Sequence, residues 1–377
     1  MLSLHGNRAI LAARNVVGKS RACAAVSARA FSNDVTPADP NSLDYTSMGF
    51  NYTPTKSICL YEYEEGKGWD SGKLTGPMLE LHAMSNVLHY GQAVFEGLKC
   101  FHTKDGSVNA FNPVANMDRL NYGADRLGMP EVPQEIFFDA VDRCVKDNID
   151  YVPPYGSGGS FYLRPFLFGH GAKLGLGVAP KFMFGVLGCP VGNYYTSGKI
   201  EPVNALVIDY DRAAPRGVGS VKCAGNYAAD VRPAREAAAK GYPIALYLDA
   251  AERKYIEEFS TSNLVGISKD KKKYISPDSP SILRSNTNFM LRQIAADMGM
   301  TVEHRPVEYE ELKTFSEVGA CGTAVILAPV GSITRGEETI NFDSETPVLT
   351  KLYETLRGIQ LGEVADPHSW NHMICKK

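Results

Sequence analysis

Hydrophobic and polar positions along the chain predict a mixture of strands and helices. Apolar runs of strand length occupy residues 57–63, 95–102, 108–111, 160–168, 181–187, 203–210, 244–249 and 264–268. Helical spacing of apolar residues begins at Pro113 and at Pro133 and recurs over 227–240, 286–298 and 348–361. Because strands and helices mix without strict alternation, the pattern predicts an α/β or α+β fold.

The length of 377 residues suits two moderate domains better than one small domain. A stretch rich in Pro, Gly and Tyr separates the two halves. We therefore predict a small N-terminal α/β domain over 45–189, an interdomain loop over 190–202 and a large C-terminal α/β domain over 203–377.

Composition restricts the classes of partner. The chain is 44% hydrophobic and 21% charged, with a formal net charge of −3. This charge gives no electrostatic basis for binding nucleic acid or an anionic membrane surface. No apolar run approaches the length of a membrane-spanning helix.

The eight cysteines are scattered, without a Cys-x-x-Cys pair or a His/Cys cluster at zinc-binding spacing. We predict no metal site. Dispersed cysteines in a chain of this length are typical of reduced core residues, and therefore of a reducing intracellular compartment.

Residues 1–33 differ from the rest because they contain five basic residues and no acid, and Asp34 is the first acidic residue. This composition is typical of an organelle transit peptide. The step from Arg29 to Ser32 resembles a mitochondrial processing site, so we expect a location in the mitochondrial matrix. A plastid address and a disordered basic tail without an address remain alternatives.

One segment, 217–227, suggests chemistry at a lysine. Lys222 is the only strongly charged residue between Gly217 and Ala229, and glycines on both sides allow a ligand to approach the backbone. If the loop is buried, desolvation lowers the pKa of the lysine and leaves neutral amine for a Schiff base. From this segment alone, a surface lysine on a flexible loop is the simpler interpretation.

Three more segments could bind parts of one ligand. Glu258, near the end of a strand-like run, could face a cationic ring nitrogen, or it could be solvated. Residues 281–288 precede a helical pattern and could bind phosphate at the helix N-terminus, or only cap the helix. Residues 319–324 could offer backbone N–H groups to a carboxylate or phosphate, or form only a turn. No segment matches a Walker A or Rossmann motif.

Taken together, these segments resemble one family, the branched-chain aminotransferases among the fold-type-IV pyridoxal-phosphate enzymes. The resemblance runs in order from about residue 57 to the C-terminus. Besides the four segments, it rests on the motifs Leu88-His89-Tyr90-Gly91-Gln92-Ala93-Val94-Phe95-Glu96-Gly97, Asn116-Met117-Asp118-Arg119-Leu120, Tyr162-Leu163-Arg164-Pro165 and Pro190-Val191-Gly192.

The resemblance implies two domains with pyridoxal 5'-phosphate between them, usually in a homodimer. It implies that Lys222 binds the cofactor covalently and moves a proton between the substrate α-carbon and C4′. The other implied cofactor contacts are with the ring nitrogen, the 3-oxygen and the phosphate, and they involve Glu258, Tyr227, Arg119, Asn286, Thr287 and Thr323.

The resemblance also implies the reaction and the substrate site. The amino group of L-leucine, L-isoleucine or L-valine passes reversibly to 2-oxoglutarate in a ping-pong sequence, giving a branched 2-oxo acid and L-glutamate. The implied substrate-binding residues clamp the α-carboxylate, accept a distal carboxylate or form apolar walls, and they are Tyr90, Phe95, Tyr162, Arg164, Tyr194, Thr323 and Ala324.

Two departures from the family pattern stand out. Leu283-Arg284-Ser285 replaces the usual Leu-Pro-Gly or Leu-Pro-Ser, which leaves the role of Arg284 open. Val325 and Ala328 stand where some animal members have a redox Cys-x-x-Cys pair, so we expect no thiol regulation of that kind.

Two alternatives to the branched-chain aminotransferase hypothesis remain open. One is another member of the same fold, a D-amino-acid aminotransferase or an aminodeoxychorismate lyase. The other is a non-catalytic binding protein on the same fold.

Overall fold

Two nine-stranded sheets form the framework of the computed structural model, which describes residues 35–192 and 201–376. The strands of the first half are β1 Ile58–Glu64, β2 Gly68–Trp69, β3 Lys73–Thr75, β4 Ala93–Phe95, β5 Leu98–His102, β6 Ser107–Phe111, β7 Ser160–His170 and β8 Lys181–Val191. Those of the second half are β9 Val203–Val207, β10 Ile244–Leu248, β11 Ile256–Phe259, β12 Asn263–Ser268, β13 Lys273–Pro277, β14 Thr301–Arg305, β15 Phe315–Gly322, β16 Ile326–Arg335, β17 Glu338–Asn341 and β18 Asn371–Lys376.

Six α-helices lie between these strands in the described ranges. They are α1 Asn86–Tyr90, α2 Pro113–Arg126, α3 Gln134–Asp147, α4 Ala224–Ala239, α5 Asn286–Asp297 and α6 Pro347–Gln360. Short 3₁₀ turns occupy Pro40–Ser42, Ile149–Tyr151 and Tyr309–Thr314. None of the described helices is long and apolar enough to cross a membrane.

The first sheet is antiparallel, in the order β18-β6-β5-β7-β8-β1-β2, with β3 beside β1 and β4 beside β7. Helices α2 and α3 supply apolar side chains to its core. Helix α2 begins where the pattern predicts because Pro113 suits its first turn and the Asn112 side chain accepts from the Ala115 N–H. Its buried residues Met117, Leu120 and Ala124 recur at helical spacing, and this stripe fixes which face of α2 meets the sheet.

The second sheet is mixed, in the order β11-β10-β9-β16-β15-β12-β13-β14, with β17 beside β16. Its strands β9 and β10 are parallel and are joined through α4, and β13 and β14 are parallel and are joined through α5. Parallel neighbours require such crossover connections, and ligands of such sheets commonly bind beyond the carboxyl ends of the strands. The segments that precede α4 and α5 are therefore well placed to form a site.

The mixed α/β class predicted from the sequence is confirmed. The predicted strand over 95–102 is divided into β4 and β5, because Glu96 and Gly97 interrupt it. The last strand, β18, pairs with β6 in the first sheet although the sequence analysis grouped it with the C-terminal half. The domain boundaries stay a prediction, and both the predicted transit peptide and residues 193–200 of the predicted interdomain loop lie outside the described residues.

The seven cysteines in the described part of the chain are free, and six of them are buried. Among the same residues, no group of three or more His, Cys, Asp or Glu side chains could hold a metal ion.

Candidate active site

A cleft is lined by strands and loops of the second sheet, by helix α4, and by helix α2, which packs on the first sheet. Helix α2 contributes Arg119, the loop before α4 contributes Lys222, and strand β11 contributes Glu258. The turn between β15 and β16 contributes Thr323. Residues 281–285, before α5, reach the cleft through Leu283 and Ser285. Segments that are far apart in the sequence therefore meet at one place.

The loop that carries Lys222 is folded back on itself by Asn226. The Asn226 side chain donates to the carbonyls of Val218 at 2.8 Å and Val221 at 2.9 Å. The Phe95 N–H donates to the Lys222 carbonyl at 3.1 Å, which ties the loop to β4. These bonds fix the backbone of Lys222, so its side chain has a defined direction.

The Lys222 amine is enclosed by aromatic side chains. Its Nζ donates to the Tyr227 hydroxyl at 2.8 Å and lies 4.8 Å from the centre of the Phe95 ring. Burial, with the nearby charge of Arg119, lowers the pKa of Lys222 from 10.5 to about 8. A substantial neutral fraction is thus present near physiological pH, and the neutral amine is the nucleophilic form.

Glu258 is a buried carboxylate that is held from three sides. It accepts from the Leu283 N–H at 2.9 Å and from the Asn263 side chain at 2.9 Å. Arg212 Nη2 lies 2.8 Å from its Oε1 atom. Burial raises the pKa of Glu258, and the positive charge of Arg212 opposes that shift. Such a carboxylate can stabilise a cationic ligand group in the cleft.

Arg212 connects the carboxylate to two backbone segments. Its guanidinium also donates to the Gly219 carbonyl at 2.7 Å, in the Lys222 loop, and to the Ser281 carbonyl. A Cβ added at Gly219 would lie 2.3 Å from the Ser281 oxygen, so only glycine allows these two backbones to approach so closely. Arg212 was not among the predicted site residues, because no motif or periodicity distinguishes it from a surface arginine.

Arg119 is oriented by the buried carboxylate of Glu96, which was part of a sequence motif but not among the predicted site residues. Its Nε and Nη2 atoms donate to the two oxygens of Glu96 at 2.6 and 2.7 Å. Its Nη1 donates to the Arg284 carbonyl at 2.9 Å. These bonds use three of the five guanidinium N–H groups and leave two for an anion. An acid within an apolar strand-like run was the available signal for Glu96.

The N-terminus of the 12-residue helix α5 lies beside Arg119. Ser285 lines the cleft and caps the helix, since its hydroxyl accepts from the Asn288 N–H at 3.1 Å. Asn286 and Thr287 line a smaller neighbouring cavity, and Thr323 lines both. Helix N-termini attract anions through their free N–H groups, so this end of the cleft suits a phosphate.

Three residues of the predicted substrate site form a cluster next to Lys222. The Arg164 guanidinium lies 5.0 Å from the centre of the Phe95 ring and 5.5 Å from that of Tyr162. The Phe95 ring in turn packs edge-on against Tyr227, with 4.9 Å between the centroids. Tyr162 occupies space over Gly97, where an added Cβ would lie 2.0 Å from its hydroxyl.

Other predicted residues are placed differently. Tyr90 is 42% exposed, and its hydroxyl donates to the Leu174 carbonyl, so the structure does not bring it to the cleft. Ala324 accepts from Lys99 through its carbonyl. Tyr194 lies outside the described residues. The Arg284 side chain is exposed and stacks on the Tyr122 ring at 4.3 Å, so only its carbonyl supports the cleft, through Arg119.

Comparisons with known proteins agree with this geometry. A family model described as amino-transferase class IV matches residues 93–333. A branched-chain-amino-acid aminotransferase of Haemophilus influenzae is 46% identical over 338 residues, covering 87% of this chain and 98% of that protein. The branched-chain aminotransferase of Thermoproteus uzoniensis, solved with norvaline, superposes with a TM-score of 0.70 at 24% identity, covering 85% of this chain and 100% of that one. The branched-chain amino acid aminotransferase of Escherichia coli gives a TM-score of 0.69 at 24% identity, with 85% and 100% covered.

Replacing Arg212 by methionine should strongly destabilise the protein, because it leaves the Glu258 charge buried without a cation. The expected loss in free energy of unfolding, measured by urea titration, is about 3–5 kcal/mol. The matched control is Arg232→Met, which breaks the pair with Glu236 of an arginine whose side chain is 80% exposed and should change little. Equal losses in the two variants would show that the Arg212 pair has no special weight.

The lowered pKa of Lys222 predicts its reactivity. In protein freed of bound small molecules, the rate of acylation of Lys222 should rise with pH and reach half its maximum near pH 8, because only the neutral amine reacts. Peptide mapping by mass spectrometry follows the rate. In urea-unfolded protein the midpoint should move up towards 10.5. A midpoint that is the same in the folded and unfolded states would contradict the burial of this amine.

Proposed function

Because the chain belongs to the class IV aminotransferases, we propose that it is a pyridoxal-phosphate-dependent branched-chain-amino-acid aminotransferase. It transfers the amino group reversibly from L-leucine, L-isoleucine or L-valine to 2-oxoglutarate. The observation that carries the proposal is the joint placement of Lys222, Tyr227, Glu258 and Arg119 around one cleft. The 46% identity to a named branched-chain-amino-acid aminotransferase over nearly its whole length supports the choice of substrate.

The residues of the cleft fit pyridoxal phosphate. Arg119 and the N-terminus of α5 offer donors and positive potential to the phosphate, and Glu258 offers a carboxylate to the ring nitrogen. Lys222 offers the amine that binds the cofactor covalently. When bound, the cofactor supplies an electron-withdrawing ring that acidifies the α-carbon of the amino acid.

Lys222 moves the proton in this reaction. With the cofactor bound, the neutral amine of Lys222 would be the base that takes the proton from the substrate α-carbon and returns it at C4′. The Tyr227 hydroxyl lies 2.8 Å from Nζ and can hold the amine in place between these two atoms. Burial raises the pKa of Tyr227, so its hydroxyl keeps its proton and remains a hydrogen-bond donor.

The cluster of Phe95, Tyr162 and Arg164 explains how one pocket accepts two kinds of side chain. The aromatic rings offer apolar contact to a branched side chain. The Arg164 guanidinium, which lies over both rings, would be the cation available to the distal carboxylate of glutamate. An apolar wall with one cation can serve both half-reactions, whereas a pocket lined only by cations would exclude leucine.

The proposal predicts an absorption change with substrate. Wild-type protein loaded with pyridoxal phosphate should show the band of the lysine-bound cofactor, and L-leucine should convert it to that of pyridoxamine phosphate. Subsequent 2-oxoglutarate should restore the first band. Lys222→Ala should not turn over, whereas Lys104→Ala, which removes an exposed lysine, should behave as wild type.

Other outcomes of these assays would indicate a different function. Conversion of the band by a D-amino acid but not by L-leucine would indicate a D-amino-acid aminotransferase. Release of an aromatic product from aminodeoxychorismate would indicate the lyase. A wild-type protein without any cofactor band would indicate a non-catalytic binding protein.

We also propose that the chain forms a homodimer. The segment 174–178 exposes Leu174 by 78%, Leu176 by 83% and Val178 by 57%, and Tyr90, itself partly exposed, donates to this segment. Three exposed apolar side chains within five residues indicate a candidate protein interface. Light scattering should give the mass of two chains, and Leu176→Glu should shift it to one. A wild-type mass of one chain would contradict the proposal.

We propose a mitochondrial location, supported by the basic, acid-free composition of residues 1–33. Fusion of these residues to a fluorescent protein should direct it to mitochondria. Import into plastids would give the alternative address, and a diffuse signal would leave residues 1–33 as a basic tail.

A further inference from the structure

Lys99 is a buried lysine with no part in the mechanism above. It lies in β5, is only 8% exposed, and donates from Nζ to the carbonyl of Ala324 at 2.8 Å. The register of β5 and β7 sets Lys99 directly opposite Tyr162, so both side chains project from the same face of the first sheet. The Lys99 side chain therefore extends from the face of the first sheet that carries Tyr162 to the turn between β15 and β16.

That turn has an unusual backbone. Ile326, at its end, has a φ of 64°, a left-handed conformation that β-branched residues rarely adopt. The Leu327 N–H donates to the Val325 carbonyl at 2.9 Å within the same turn. A strained conformation persists only where its surroundings hold it, and such strain is commonly found at ligand sites.

A lysine buried at this position destabilises the fold, because its charged form must be removed from water. Burial, with the neighbouring charge of Arg357, lowers the pKa of Lys99 to about 7. Its hydrogen-bond partner is a neutral carbonyl, and an apolar side chain of similar size would avoid the cost of burying an ammonium group. A requirement other than stability accounts for a lysine here.

We propose that Lys99 is a positioning residue for the substrate α-carboxylate. Through the Ala324 carbonyl, it holds the turn of residues 323–326 in the conformation that presents the backbone of Thr323 and Ala324 to the carboxylate. The inference rests on the proposed function, since it requires that the turn bind the carboxylate of an amino acid. Lys99 acts through the turn and touches neither the cofactor nor the reacting atoms.

The test measures carboxylate binding separately from turnover. The probe is 4-methylpentanoate, which is leucine without its amino group, titrated calorimetrically into the pyridoxal-phosphate-loaded enzyme. Lys99→Met should raise the Kd of the probe and the KM of both L-leucine and 2-oxoglutarate by about 10- to 100-fold. Because the lost interaction is present in ground and transition states alike, kcat should change much less. Lys99→Arg, which keeps a charged donor, should restore most of the affinity.

Arg357 provides the matched control. It is a second, partly buried cation beside Lys99, and it donates to the Gly158 carbonyl at 2.8 Å, outside the turn. Arg357→Met should leave the Kd of 4-methylpentanoate near the wild-type value. Equal weakening in both methionine variants would overturn the proposal, because the effect would then come from removing any buried cation in this region.

The remaining outcomes separate the inference from the proposed function. An unchanged Kd in Lys99→Met, in a wild-type enzyme that converts L-leucine, overturns the role of Lys99 alone. A wild-type protein that neither converts L-leucine nor binds the probe overturns the proposed function as well. If Lys99→Met does not fold, as judged by its melting temperature, Lys99→Gln gives the same comparison, since the shorter amide cannot replace the ammonium donor.

Discussion

The contact between Arg212 and Glu258 is the constraint on which the rest of the cleft depends. A carboxylate this deeply buried is tolerated only because a guanidinium lies 2.8 Å away and two further donors complete its shell. The same guanidinium binds the carbonyls of Gly219 and Ser281, so the charge that stabilises Glu258 also sets the distance between the lysine loop and the segment before α5. One side chain, Arg212, therefore determines both the charge balance at Glu258 and the spacing of these two backbone segments.

A second charge pair, between Arg119 and Glu96, performs a similar task from the side of the first sheet. The two pairs hold Arg119 and Arg212 against carboxylates, whereas no carboxylate among the described residues lies within ion-pair distance of Lys222. Its amine is therefore the group whose protonation is most easily changed, which suits a residue that accepts and returns a proton.

Much of this arrangement could be predicted from the sequence, and the exceptions share a physical cause. Helices α2 and α5 begin and end close to the predicted residues because proline, cap residues and apolar periodicity are local signals. Arg212 and Lys99 were missed because their importance comes from distant partners, and Ala324 lies 225 positions from Lys99. Glu96 had a local signal, an acid within an apolar run, but its partner Arg119 lies 23 positions away. The sequence placed Lys222, Glu258 and Arg119 together only through a family resemblance, whereas the structure does so through contacts.

The last strand has a consequence for how the chain reaches its native state. Strand β18 completes the edge of the first sheet by pairing with β6, which lies far earlier in the chain, after every strand of the second sheet has been made. During synthesis the first sheet therefore remains incomplete until residues 371–376 leave the ribosome. Such a long-range closure slows folding, because the entropy of joining distant segments is lost before the contacts form. The first sheet is therefore not expected to fold to completion without residues 371–376, whereas the second sheet does not include β18.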